Sequence, residues 1–187
     1  MRKLWFLLNS LFYFFMENFT INDILRKYRN NEFDIIEWNK SFISVIKRKD
    51  KLIKSWAYFD EELWLKNLNF VLEKHPRQHD KLLGIPVGIK DIFNTIDMPT
   101  CMGSPLWKGF TPGNDARVVH NIKFQGGIIA GKTVTAEFAV HSPNETRNPR
   151  DVNYSPGTSS SGSAASVASG MIPLAIGTQT AGSIIRP

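Results

Sequence analysis

Along the first eighty residues the apolar positions recur at helical spacing. Ile21, Ile24, Leu25 and Tyr28 share one face behind Thr20-Ile-Asn-Asp23, which has the layout of a capping box, and the spacing predicts a helix ending near Asn30-Asn31. A second helix is predicted from around Asp34, with Ile35, Trp38, Phe42 and Val45 as its buried stripe, running out in the basic cluster Lys47, Arg48, Lys49, Lys51 and Lys54. A third spans about Asp60 to Glu73. Between them, Trp56-Ala-Tyr-Phe59 is too short and too aromatic for a helix and reads as a strand or extended segment.

After Gly84 the pattern changes. Ile85-Pro-Val-Gly-Ile89 is a short apolar run suited to a buried strand that starts with proline. Residues 93 to 114, rich in Pro, Gly, Thr and Ser, read as a loop. Asp115 is placed to cap a helix carrying Val118, Val119, Ile122 and Phe124, which stops at Gly126-Gly127 before the strand-like Ile128-Ile129-Ala130. A second loop, about 141 to 162, precedes a small-residue helix from Ser163 to Ser169, and Met171-Ile-Pro-Leu-Ala-Ile176 supplies another buried strand. This alternation predicts an α/β fold with a largely parallel sheet.

Composition sets bounds on this picture. The 187 residues, 42% hydrophobic and 21% charged, suffice for one core. The division is a hydrophobic segment over 1–16, then one domain over 17–187, helical over 17–80 and α/β over 81–187. The 23 basic residues outnumber the 17 acidic ones, and the excess falls evenly on either side of residue 80. That spread lacks the basic stripe with stacking aromatics of a nucleic-acid binder, and the Lys47–Lys54 cluster reads as a solvated helix end. The only cysteine, Cys101, excludes an internal disulfide and fits a reducing compartment. No zinc spacing exists, and His75, His79, His120 and His141 are scattered, as surface or loop residues are. Arg2-Lys3 followed by Leu4 to Met16 has the start of a signal peptide. The apolar stretch is shorter than the roughly 20 residues of a membrane span, however, and no small-x-small cleavage site follows. The expectation is a cytoplasmic protein, with Met16 as an alternative start and an N-terminal signal or anchor as the secondary reading.

Three motifs carry candidate chemistry. Gly126-Gly-Ile-Ile-Ala-Gly131-Lys132-Thr133 satisfies the phosphate-loop pattern letter for letter, but such a loop must follow a strand and open a helix. Here a helix precedes it and β-branched Ile128-Ile129 favour a strand, so a nucleotide-binding protein is only a distant alternative. The segment from Ser155 to Ser163 reads either as a flexible linker or as a functional loop, and its place between packed elements favours the loop. Gly177-Thr-Gln-Thr-Ala-Gly-Ser183 is either a plain turn or one whose N–H groups converge on an anion, and the residues leave both open.

These stretches together resemble the amidase-signature family: Gly84-Ile-Pro-Val-Gly-Ile-Lys90-Asp91, the Gly126–Thr133 run, Thr146-Arg-Asn-Pro149, Pro156-Gly-Thr-Ser-Ser-Ser-Gly-Ser-Ala-Ala165 and Gly177–Pro187, in that family's order and spacing. The resemblance implies the N-terminal portion of an amidase-signature domain, a mixed or parallel sheet sandwiched by helices. It further implies a Ser-cisSer-Lys triad of Lys90, Ser159 and Ser183. Ser183 would be the nucleophile, and Ser159, after a cis peptide bond from Thr158, would relay protons between it and Lys90. The N–H groups of Thr180, Ala181, Gly182 and Ser183 would form the oxyanion hole. An ordinary lysine, with a pKa near 10.4, is almost wholly protonated at pH 7, so Lys90 must be buried to serve as a base, and the strand before it can bury it.

The implied function is hydrolysis of a small-molecule carboxylic amide with no metal or organic cofactor, and with no nucleic-acid partner unless the chain is an amidotransferase subunit. Ser161, Thr158 and Ala181 stand where the family usually has glycine, and each side chain is expected to crowd its loop. A glutaminase-type subunit of a tRNA amidotransferase is one alternative. It is disfavoured by Gln179 in place of aspartate and by Arg186 three, rather than two, residues after Ser183. Family members continue well beyond the nucleophile, which leaves a catalytically inactive amidase fragment as the other alternative.

Overall fold

The computed structural model describes residues 20–74 and 81–187. The hydrophobic N-terminal segment, His75 and His79 lie outside the described residues. The chain order is α1 (Ile21–Arg29), α2 (Ile35–Ile53), β1 (Trp56–Phe59), α3 (Glu61–Lys74), β2 (Pro86–Lys90), α4 (Arg117–Phe124), β3 (Ile128–Thr133), α5 (Ser161–Ala168) and β4 (Leu174–Ile176), with short 3₁₀ turns at Pro105–Trp107 and Glu137–Ala139.

The helices begin where local chemistry satisfies their first N–H groups. Thr20 and Asp23 close a reciprocal capping box, Asp23 N–H to Thr20 Oγ1 at 3.2 Å and Thr20 N–H to Asp23 Oδ2 at 3.1 Å. Asp34 caps α2 by accepting from Ile36 and Glu37 N–H. The basic cluster at the end of α2 is partly paired, Lys47 with Glu61 and Lys54 with Glu145. One expected cap is wrong. Asp115 does not cap α4, because its carboxylate accepts from Ile96 N–H and pairs with Lys123 instead, which ties the 93–114 loop to the helix side. Phe124, expected on the buried stripe of α4, is 70% exposed, whereas Val119 and Ile122 are buried.

The four strands form one sheet in the order β1-β3-β2-β4. β3, β2 and β4 run parallel, and β1 adds to β3 antiparallel. Hydrophobic cores lie on both faces. Ile128 and Ala130 of β3 turn towards α1, α2 and α3, and Ile129, with Val87 and Ile89 of β2, packs against Val119 and Ile122 of α4. A bulge between Val87 and Gly88 in the β2–β3 pairing inserts one extra residue in β3, so that Lys132 stands beside Ile89 and Thr133 beside Lys90. Next to the extra residue, Ala130, Gly131 passes so close to β1 that a Cβ would lie 2.5 Å from the Tyr58 carbonyl. β3 occupies the whole Gly-Lys-Thr run, which rules out the phosphate-loop reading: backbone committed to two strand ladders cannot wrap an anion.

One buried polar cluster braces the helical layer. Asn39 donates to the Ile35 and Gly84 carbonyls at 2.8 and 3.0 Å and accepts from Trp64 Nε1 at 2.8 Å. Asn39→Ala leaves Trp64 N–H and Gly84 C=O buried without these partners. It is expected to destabilise the fold by about 2–4 kcal/mol, read as a lower urea midpoint at unchanged slope.

Candidate active site

The site is assembled at the C-terminal ends of β2 and β3. Val87 and Ile89 of β2 face the α4 core, so strand alternation sends Lys90 to the opposite face, the one covered by α5. Lys90 is fully buried there. Its Nζ donates to Ser159 Oγ at 2.7 Å, Ser160 Oγ at 3.0 Å and Thr178 Oγ1 at 2.7 Å. Among the described residues no carboxylate pairs with the ammonium, and desolvation lowers the Lys90 pKa from 10.5 to about 8.

Ser159 sits on the run before α5, and the Thr158–Ser159 peptide bond is cis. The serine segment is no linker. Ala136 N–H donates to the Ser159 carbonyl at 3.1 Å and Gly162 N–H to the Val134 carbonyl at 3.0 Å. α5 itself begins at Ser161, two residues earlier than expected. At Gly162 the backbones meet directly, since a Cβ there would fall on Val134 N and the Ser55 carbonyl. Ser163 continues the hydroxyl network, 2.7 Å from Thr133 Oγ1 and donating to the Ile176 carbonyl.

Sequence reasoning noted the other two hydroxyls only as members of their motifs. Ser160 Oγ donates to the Thr178 carbonyl at 3.1 Å and accepts Thr178 N–H at 3.2 Å, which locks the serine run onto the strand that ends at Ile176. A lysine carried by a buried strand must find oxygen partners, and that requirement is the signal that could have singled them out.

Ser183 is brought alongside through its main chain, its carbonyl accepting from Ser160 N–H at 3.1 Å. The Ser183 side chain is half-buried and, among the described residues, its hydroxyl makes no hydrogen bond. The Gln179 side-chain oxygen accepts from Ile184 and Ile185 N–H, both at 3.1 Å, and braces the turn around Ser183. Among the described residues the N–H groups of Thr180, Ala181, Gly182 and Ser183 meet no protein acceptor. Ser161 does not crowd the loop: it is buried and accepts from Asn144 Nδ2 at 2.8 Å. Thr158 is half-buried and Ala181 exposed.

With this geometry in place, comparison with known proteins decides the family. The amidase family model matches residues 37–187. The chain belongs to the amidase family. A glutamyl-tRNA(Gln) amidotransferase subunit from Saccharophagus degradans is 38% identical over 179 residues, 92% of this chain and 37% of that protein. Among solved structures, peptide amidase from Stenotrophomonas maltophilia superposes with a TM-score of 0.83 at 29% identity, over 91% of this chain and 38% of that one. The corresponding glutamyl-tRNA(Gln) amidotransferase subunit from Thermotoga maritima gives 0.72 at 31% identity, over 89% of this chain and 35% of that one. The chain therefore spans a little over a third of the length of the relatives it matches. Among the described residues no helix is long and apolar enough to cross a membrane.

The depressed Lys90 pKa ties stability to pH. Between about 8 and 10.5 the unfolded chain holds the Lys90 proton and the folded chain does not, so raising the pH favours the folded state. Urea titrations from pH 7 to 10.5 are expected to show wild type gaining stability relative to Lys90→Met above pH 8. Below that the difference is constant, because both states are protonated.

Proposed function

We propose that this chain carries the catalytic elements of a serine amidase that hydrolyses a carboxylic amide, R-CO-NH2 or R-CO-NHR′, through an acyl-Ser183 intermediate. The observation that carries this reading is the buried Lys90 amine in hydrogen-bond contact with Ser159, in a site where, among the described residues, no carboxylate pairs with it and desolvation weakens its hold on its proton.

Counting protons supports the direction of transfer. The Ser160 proton is directed to the Thr178 carbonyl, so Ser160 Oγ receives an N–H from Lys90, and Thr178 Oγ1 receives another. A neutral amine has two N–H bonds and one lone pair, and with both hydrogens so engaged the lone pair is left for the Ser159 proton. Ser159, having given its proton to Lys90, takes one from Ser183 as the Ser183 oxygen bonds the amide carbon. The free N–H groups of Thr180 to Ser183 support an oxyanion hole at this turn, where one lost donor typically costs about 3 kcal/mol of transition-state stabilisation. As the C–N bond breaks, the proton returns through Ser159 to the departing nitrogen. Water then attacks the acyl-Ser183 carbonyl, passing a proton through Ser159 to Lys90, and as the bond from the acyl carbon to Ser183 Oγ breaks that proton returns to Ser183, which frees the acid.

A second reading is a glutaminase-type subunit of a tRNA amidotransferase. The 38% identity to a glutamyl-tRNA(Gln) amidotransferase subunit favours it, and Gln179 and the position of Arg186 count against it. The two readings share the chemistry and differ in the amide, glutamine against other carboxamides.

A fluorophosphonate probe is expected to label wild type and not Ser183→Ala. The labelling rate is expected to rise with pH to half its maximum near 8, and to fall at least about a hundredfold in Lys90→Ala. Ammonia release from glutamine, compared with release from a panel of simple carboxamides, separates the two readings. A folded wild-type chain that takes no label leaves only the inactive amidase fragment.

A further inference from the structure

A second buried lysine lies beside the site and plays no part in the proposed chemistry. Lys132 of β3 is fully buried, and its Nζ lies 2.9 Å from Asp91 Oδ1, 2.7 Å from Thr100 Oγ1 and 3.0 Å from the Pro99 carbonyl. Asp91, the residue after Lys90, is 2% exposed, and its carboxylate also accepts the N–H groups of Cys101 and Gly103. Two opposite charges from the sheet thus hold one turn of the 93–114 loop at four residues, Pro99, Thr100, Cys101 and Gly103.

That turn rests on the segment that carries Ser159. Gly103, at φ +68°, packs so closely that a Cβ would lie 2.7 Å from the Thr135 carbonyl, and the Met102 carbonyl accepts from Phe138 N–H at 2.8 Å. Ala136, between these two contacts, is fully buried and gives its N–H to the Ser159 carbonyl at 3.1 Å. The contacts close a ring that runs from Lys90 to Asp91, through the Cys101–Ser104 turn to Ala136, on to Ser159 and back to Lys90.

We propose that the Asp91–Lys132 ion pair is a positioning device for the site, pressing the Cys101–Ser104 turn onto residues 135–138 so that Ala136 holds Ser159 within reach of Lys90. Asp91 and Lys132 act through this turn and not on substrate. The inference rests on the reading of Lys90 as the proton acceptor. The other ionisable groups facing the pair are Cys101 and Asp97, both acting on Lys132, and the groups around Lys90 are neutral hydroxyls.

The test compares Asp91→Asn, Lys132→Met and the double variant Asp91→Asn/Lys132→Met in the full chain. Each single change strands a buried charge and is expected to lower stability, and the double variant, with no charge left over, is expected to regain most of it. Two further measurements separate positioning from simple stability. Amide hydrogen exchange at Ala136 is expected to quicken about tenfold or more in the folded double variant, with Ile43 of α2 unchanged. The Lys90 titration, followed by NMR of its side chain, is expected to move up from about 8 towards 10.5 as Ser159 drifts and water reaches the amine. A double variant that folds with Ala136 protection and the Lys90 midpoint both at wild-type values overturns the proposal, even if both single variants fail to fold. A wild-type Lys90 that titrates at the ordinary lysine value instead overturns the amidase reading, and the Ala136 exchange then decides the positioning role by itself.

Discussion

The architecture of this chain is organised around the cost of keeping one amine out of water. Lys90 stands at the end of a central strand, with core on the opposite face and a helix over it, and the oxygens around it are hydroxyls. A carboxylate in their place would hold the proton on the lysine, and open water would do the same. Much else about the site follows from excluding both. The serine run must lie against the sheet rather than above it, so Gly162 has no room for a side chain. The strand ending at Ile176 must lead straight into Thr178, and Ser160 locks the two segments together by both accepting from and donating to the Thr178 backbone.

Lys132 shows how one added carboxylate changes the balance on a buried amine. It lies one strand away at nearly the same height, and it is equally buried. Desolvation weakens its hold on its proton too, but the Asp91 carboxylate opposes that effect, whereas among the described residues no carboxylate opposes it at Lys90. The bulge in the β2–β3 pairing makes the separation possible. By shifting the alternation of β3 by one residue, it turns Lys132 to the loop side and leaves the small Thr133 next to Lys90 on the α5 side. Without it, the parity of the strand would be reversed from Gly131 onwards.

Much of this was legible in the residues. Periodicity located α1, α2 and α3, and the Thr20–Asp23 box and Asp34 located two helix starts, because there the deciding partners are close in sequence; the aromatic run located β1 by its composition, although its partner strand lies far along the chain. Resemblance singled out Lys90 and Ser159, and the structure brings those two into contact. What could not be read depends on partners far along the chain. Asp115 looks like a helix cap and is claimed by Ile96 and Lys123. Ser161 looks like loop, since serine competes with helical backbone, yet packing against the sheet carries the helix back to it. The partners of Lys132 depend on a bulge that leaves no local trace, so the residue could be recognised only as a motif match and not as an ion pair.

The Lys90 contacts also span long stretches of chain, with 69 residues separating it from Ser159 and 88 from Thr178. Bringing such distant segments together costs closure entropy that only the folded interior repays. On a chain still emerging from the ribosome, Lys90 is a solvated ammonium like any other, and the serines beside it are ordinary alcohols. The environment that weakens the Lys90 proton is thus a property of the tertiary structure, and a half-made chain holds only an ordinary lysine.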